Sequence, residues 1–390
     1  MISSIKKMIA RHLINRPGWT TKRKILVIES DDWGSIRMPS AEVYNDLLKH
    51  GVPVDKSPYC RYDSLACEKD LELLFELLSG FKDRLGHHPM ITANTVVSNP
   101  DFDKIRESGF NEYYCEPITE TFKKYPEHAG CMELWRSGMS AGIFHPQSHG
   151  KEHLNVAYWM KLLQEDIHHF RLAFEHNCWG LSSDVYPDLN RSVQASFDIE
   201  TGIQLPILED TIRDGLRLFE EMFGYRSESF IASNFIWSSK LNRALSDEGV
   251  RYLQGMKYQV LPLLNGNRRK MIRHYLGERN EFGQYYLVRN CKFEPSFNDA
   301  GLSSVGECLK GITTAFFWNK PAIISSHRVN YVGFLDADNR DRNLRTLETV
   351  LREILKRWPD VEFMTSDTLG RVIESKNEKV RPVIQQPVKQ

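Results

Sequence analysis

The chain has 390 residues, 41% hydrophobic and 26% charged, enough for one large domain with insertions or for two ordinary ones around a sizeable core. Lys+Arg and Asp+Glu balance at 51 each, so no basic field points to nucleic acid and no acidic one to a solvating tail. No apolar run is long enough for a membrane-spanning helix. The seven cysteines are odd in number and contain no CxxC pair, which argues against a disulfide framework and a thiolate zinc site and for a reducing compartment.

Residues 1–21 form a basic segment, MISSIKKMIARHLINRPGWTT, in which Arg11, His12 and Asn15 interrupt the apolar centre that a secretory signal needs. A cytoplasmic location is therefore expected. The segment reads as a short surface helix. A second reading is a peripheral contact with anionic lipid through Lys6, Lys7, Arg11 and Arg16, at the inner membrane face.

KILVIES (24–30) opens with four consecutive apolar residues, the pattern of a parallel strand buried on both faces. Similar short runs follow at 89–97, 140–147, 179–184, 228–237, 250–255, 321–329 and 361–367. Helical periodicity separates them. It covers 70–81, a stripe from Val156 to Phe170 after a candidate N-cap at Asn155, then 211–223 and 344–358. Alternating strands and helices predict an α/β fold with a parallel sheet, either doubly wound or closed into a barrel. Segments at about 35–69, 185–210 and 256–319 are rich in turn residues and read as insertions. The tail 375–390 is polar and Pro-containing and reads as disordered.

Many polar residues fall just after predicted strands: Asp31 and Asp32, Asn94, the run HPQSHGKEHLN (145–155), Asp184, Asn234 and His327. In parallel α/β folds the strand C-termini share one face, and active sites lie there. His145, His149 and His153 recur at steps of four, so HPQSH and HGKEH each offer two imidazoles that one helical turn would place on one side. The adjacent carboxylates Asp31 and Asp32 repel each other, and a cation beside them would relieve that. One Asp with two His is a facial set for a hydrolytic divalent ion.

These residues resemble the NodB-like polysaccharide deacetylases. SDDWG (30–34) is similar to the family's TFDDG motif with Trp33 inserted. HGKEH (149–153) matches its H(S/T)xxH motif, and IISSH (323–327) is similar to its late leucine–x–histidine motif. The resemblance covers perhaps half of the chain, in short pieces. It implies a (β/α)7–8 barrel of the distorted TIM type over residues 22–374, with Asp31 as base and His327 as acid. It also implies Asp32, His149 and His153 as ligands of a divalent metal, Zn²⁺ first, with Co²⁺, Ni²⁺ or Mn²⁺ as substitutes. The pair His145/His149 competes; the resemblance favours His149/His153. The activity implied is deacetylation of an acetylated glycan or sugar-containing small molecule. The alternatives are an amidase on a non-sugar C–N bond and a catalytically silent carbohydrate-binding barrel. The family's RPPYG arginine, which orients the base, is absent: the corresponding strand reads FIASNFIW (230–237). Arg328, next to His327, is a candidate replacement; the alternative is an Asp31 oriented differently. Trp33, Asn94, His145, Asp184, Asn234 and Glu294 are further candidates for substrate contact.

Overall fold

Nine strands make the central sheet: β1 (Lys24–Trp33), β2 (Ile91–Thr95), β3 (Phe144–Ser148), β4 (Ser229–Phe230), β5 (Tyr252–Gly255), β6 (Tyr285–Val288), β7 (Cys291–Lys292), β8 (Ala322–His327) and β9 (Val361–Met364). The structure, a computed structural model, describes residues 2–181, 185, 191–264, 269–297 and 301–378. All pairings in this sheet are parallel, in the order β6-β5-β4-β3-β2-β1-β8-β7, and β9 pairs with the N-terminal half of β1. The two ends of that order are consecutive in sequence. Arg289 N–H donates to Gly255 O at 2.9 Å and Asn290 N–H donates to Ile323 O at 3.1 Å, so the segment 285–292 bonds first to one sheet edge and then to the other. The Asn290 side chain reinforces this seam, accepting from Ile323 N–H and donating to Pro321 O, both at 2.9 Å. The sheet is thus a closed, barrel-like layer, the fold class expected.

The continuous apolar run of β1 serves both faces. Ile25 and Val27 join Tyr252, Leu287 and Ile323 in an inner cluster, while Leu26 and Ile28 join the cluster under the outer helices, which include Glu68–Ser79, Cys131–Ser140 and Ala337–Arg357. Continuing the alternation, Glu29 and Asp31 follow Ile25 and Val27 along the inner face. A separate core holds Trp159, Phe174 and Trp179 against short helices at Ala41–Lys49 and Pro58–Tyr62, within the segment expected as the first insertion.

Several expectations change. The stripe Val156–Phe170 is two helices, Val156–Gln164 and His168–Glu175, broken where Asp166 adopts φ +53°. Residues 179–181 form no strand, and 182–184 lie outside the described residues. The run 228–237 is strand only at Ser229–Phe230. The third expected insertion contains β6 and β7, so part of it is barrel wall. The last helix, Ser366–Glu378, extends past the expected tail boundary, and 379–390 are not described.

Candidate active site and metal centre

Alternation along a strand would send Asp31 and Asp32 to opposite faces. The β1–β2 register shifts between Ser30 and Trp33, and Asp32 takes φ +76°, a left-handed conformation that costs about 1–3 kcal/mol for a non-glycine residue. The irregularity brings both carboxylates to the mouth of the barrel, where they line a cavity of about 300 Å³ with His149, His153 and His327.

His149 and His153 follow the C-terminus of β3 in a loop that leads to the helix Val156–Gln164, as the glycine after His149 suggests. Gly150, at φ +97°, turns the loop; a Cβ there would meet the Phe197 ring at 3.2 Å. Val97 and Ser98 N–H groups both donate to Lys151 O and pin it. The imidazole centroids lie 4.9 Å apart. His153 Nε2 is 3.0 Å and His149 Nε2 3.4 Å from Asp32 Oδ1.

Asp32, His149 and His153 each offer one ligand atom, all within 4.8 Å of one another, and all three residues are buried. His149 Nδ1 lies 2.9 Å from Ile231 O, which places its proton there and leaves Nε2 a lone pair; that atom has no hydrogen-bond partner. Burial drives the His153 pKa down to about 4, against the pull of Asp32, so this imidazole is neutral. One carboxylate and two imidazole nitrogens converging on one point suit a Zn²⁺-type cation. On the far side of Asp32, Arg37 Nη2 lies 3.1 Å from Oδ2, and its Nε is 3.2 Å from Asp63. Burial would raise the pKa of Asp32; the charge of Arg37 and the imidazoles of His153 and His149 beside it hold it well below the usual range.

An arginine reaches Asp31 from an unexpected place. Arg289, at the barrel seam, is completely buried and donates to both Asp31 oxygens, Nη1 to Oδ2 at 2.7 Å and Nη2 to Oδ1 at 2.6 Å; its Nε donates to Glu29 at 2.5 Å. Burial would raise the pKa of Asp31, but Arg289 overcomes this and brings it down to about 2. Glu29, deeper in the barrel, is raised by burial despite the same guanidinium. Arg328 does not take the role expected of it. It is committed to Asp63, with Nε and Nη2 each 3.0 Å from a carboxylate oxygen, and to Ser35 O at 2.6 Å. The residue after His327 points away from it because neighbours on a strand diverge.

His327 faces Asp31 across the β1–β8 pair, Nε2 to Oδ2 at 3.7 Å. Its Nδ1 is 2.6 Å from Glu294 Oε1. Burial alone would lower its pKa; Glu294 overrides that and raises it to about 9. Glu294 therefore reaches the site as expected, but behind His327, where Asn330 also donates to it at 2.7 Å.

Trp33 is corrected to a core residue. It is 1% exposed, its ring packs 4.9 Å from Phe144, and its N–H donates to Ser30 Oγ at 2.9 Å. The same irregularity that exposes Asp32 to the mouth turns Trp33 outward, beneath the helices. Asn94 is completely buried and donates to Asp31 Oδ1 at 2.7 Å and Gln254 at 2.8 Å, so it holds Asp31 and does not line the cavity. His145 sits at the N-terminal end of β3, 3.3 Å from Asp367 and stacked on Tyr225, and is not gathered with His149. Asn234 lines the cavity beside Phe235, both at positive φ (+54° and +58°), where the family's RPPY would stand. Asp184 lies outside the described residues.

Sequence reasoning missed Arg37, Tyr59, Gln194, Phe235 and Arg289, all of which line the cavity or hold a residue that does. Arg289 had a visible signal: YYLVRN (285–290) is a short apolar run ending in polar residues, like the other strands.

No family model matches the chain, and no curated protein matches it by sequence. Among solved structures it is similar to a protein of Mycobacterium smegmatis provisionally assigned as a polysaccharide deacetylase, at 11% identity and TM-score 0.45, over 96% of this chain and 98% of that one. A Pseudomonas aeruginosa PAO1 protein with a comparable assignment gives 11% and 0.44, over 92% and 94%. PuuE allantoinase gives 12% and 0.43, over 92% of each. Identities this low leave the chemistry of this chain to be read from its own residues.

Proposed function

We propose that this chain is a metal-dependent hydrolase that removes acetyl groups from a glycan or a sugar-containing small molecule. The observation that carries the reading is the convergence of Asp32, His149 and His153 in one cavity with a carboxylate and an imidazole held in opposite charge states. A divalent cation held by those three residues would supply Lewis acidity to the carbonyl and to water. Asp31, ionised across the neutral range, accepts a hydrogen bond and then the proton from the attacking water. Arg289 and Asn94 fix its orientation, and a carboxylate held at about 2 positions water as much as it deprotonates it. His327, cationic at neutral pH, delivers a proton to the departing nitrogen or oxygen. Glu294 holds its Nδ1 proton, leaving Nε2 as the donor towards the cavity.

The reading of a catalytically silent barrel drew on the absent arginine, and Arg289 supplies that guanidinium. The test is acetate release from acetylated chito-oligosaccharides together with the metal content of the purified protein. Acetate release that disappears on chelation and returns with Zn²⁺ supports the proposal. Hydrolysis of small cyclic amides without acetate release would favour the amidase alternative. Metal-free protein with no activity after Zn²⁺ addition would overturn both.

A further inference from the structure

The N-terminal helix Ile2–Asn15 is mounted the wrong way round for a surface helix of a freely soluble protein. Three of its polar side chains, Arg11, His12 and Asn15, turn inward. Arg11 pairs with Glu307, Asn15 accepts from Asn290 at 2.8 Å, and Trp318 N–H donates to His12 at 2.9 Å. Its apolar side chains turn outward: Met8, Ile9 and Leu13 are 51%, 49% and 46% exposed, and Ile9 and Leu13, four residues apart, share one face. The patch continues onto neighbouring elements. Phe317, 70% exposed, lies edge-on to His12 at 5.9 Å. The hairpin Tyr258–Val260/Met271–Arg273 is tied to the helix by Arg273, which donates to Leu13 O at 3.4 Å, and it presents Met271 at 64% exposure.

Basic side chains are interleaved with these residues. Lys6, Lys7, Arg16, Lys270 and Arg273 are all exposed, in a chain whose overall charge is zero. An apolar patch alone would suit a second copy of the chain. A rim of cations that would repel its own copy suits a negatively charged apolar layer instead. No described helix is long and apolar enough to cross a membrane. We infer that this face docks peripherally on an anionic lipid surface, with Met8, Ile9, Leu13, Phe317 and Met271 entering the headgroup layer and the basic residues meeting the lipid charge. Arg11, expected among the lipid contacts, is spent on Glu307. The inference is independent of the hydrolase proposal.

The test is cosedimentation of the full chain with phosphatidylcholine vesicles with and without phosphatidylglycerol. Binding should be at least about tenfold stronger to the anionic vesicles, at roughly fivefold per basic residue near the surface, and should weaken with salt. Ile9→Ser with Leu13→Ser should abolish it, and Lys6→Glu with Lys7→Glu should reduce it to the level of neutral vesicles. Thermal unfolding should be unchanged in both, because the substituted side chains are exposed. No binding by the parent chain, equal binding to both vesicle types, or binding unaffected by either pair of substitutions would overturn the inference. So would a dimer of the parent chain that Ile9→Ser with Leu13→Ser dissociates, since the face would then be covered by a second copy.

Discussion

Arg289→Gln tests the proposed base, Asp31, apart from the proposed metal site beside it. The guanidinium is fully buried and holds Asp31 and Glu29 together. Removing one partner of a buried ion pair costs about 3–5 kcal/mol, because the other charge is left uncompensated. In the parent chain Asp31 titrates at about 2, below its unfolded value of about 4. Its ionisation therefore contributes on the order of 2–3 kcal/mol, present above pH ~4 and lost as pH falls through about 2. Without Arg289, burial dominates and lifts Asp31 above its unfolded value, so the sign reverses. The variant should become more stable as pH falls from neutral towards about 5, where the stranded carboxyls can take up protons. A protonated Asp31 cannot act as base, and the loss in turnover should be about 10²–10⁴-fold at neutral pH. The assay pairs thermal unfolding with acetate release, both followed across pH, and adds metal analysis. Metal content should stay at the parent level. Parent-like turnover, or lost turnover with an unchanged pH–stability slope, would refute the assignment of Asp31 and its dependence on Arg289.

Four other outcomes follow from the same geometry. Asp32→Ala and His149→Ala should each lose the bound divalent ion by elemental analysis while remaining folded; full occupancy in either would remove that residue from the ligand set. Glu294→Gln removes the largest upward influence on His327 and leaves burial opposed only by the Asp31 and Asp32 charges, so the alkaline limb of the rate profile should fall below about 9. In the parent chain that ion pair stabilises the fold below about pH 6.5, and its contribution is lost as pH rises through about 9, which pH-dependent unfolding can follow. Arg328→Met should destabilise by about 3–5 kcal/mol in denaturant unfolding, because Asp63 is left buried with a weaker partner, yet leave both limbs of the rate profile in place. Trp33→Ala should cost about 3–5 kcal/mol through a core cavity and leave KM unchanged; a KM effect at constant stability would restore Trp33 to the substrate site.

The parallel architecture was legible because strand and helix periods differ and the strands are buried on both faces. The convergence of Asp31, Asp32, His149, His153 and His327 was legible because each lies at or shortly after the C-terminal end of a parallel strand. Side-chain direction was not. Nothing in SDDWGS shows that a left-handed Asp32 swings both carboxylates to the mouth and sends Trp33 to the core. Arg328 looked like the base partner because it neighbours His327, but adjacency along a strand separates side chains. Arg289 lies more than two hundred residues from Asp31, in a segment whose turn-rich surroundings hid two strands. Its partnership exists only through barrel closure, a long-range contact that no local pattern encodes.

The seam at 285–292 gives the molecule an internal interlock. Arg289 can neutralise Asp31 only while one short stretch of backbone bridges both rims, so this charge arrangement exists only once the sheet has curled to bring those rims together. A partly opened form could keep its helices and most of its strands and still be inert. On the proposed function, such a form would lack the oriented carboxylate on which water activation depends.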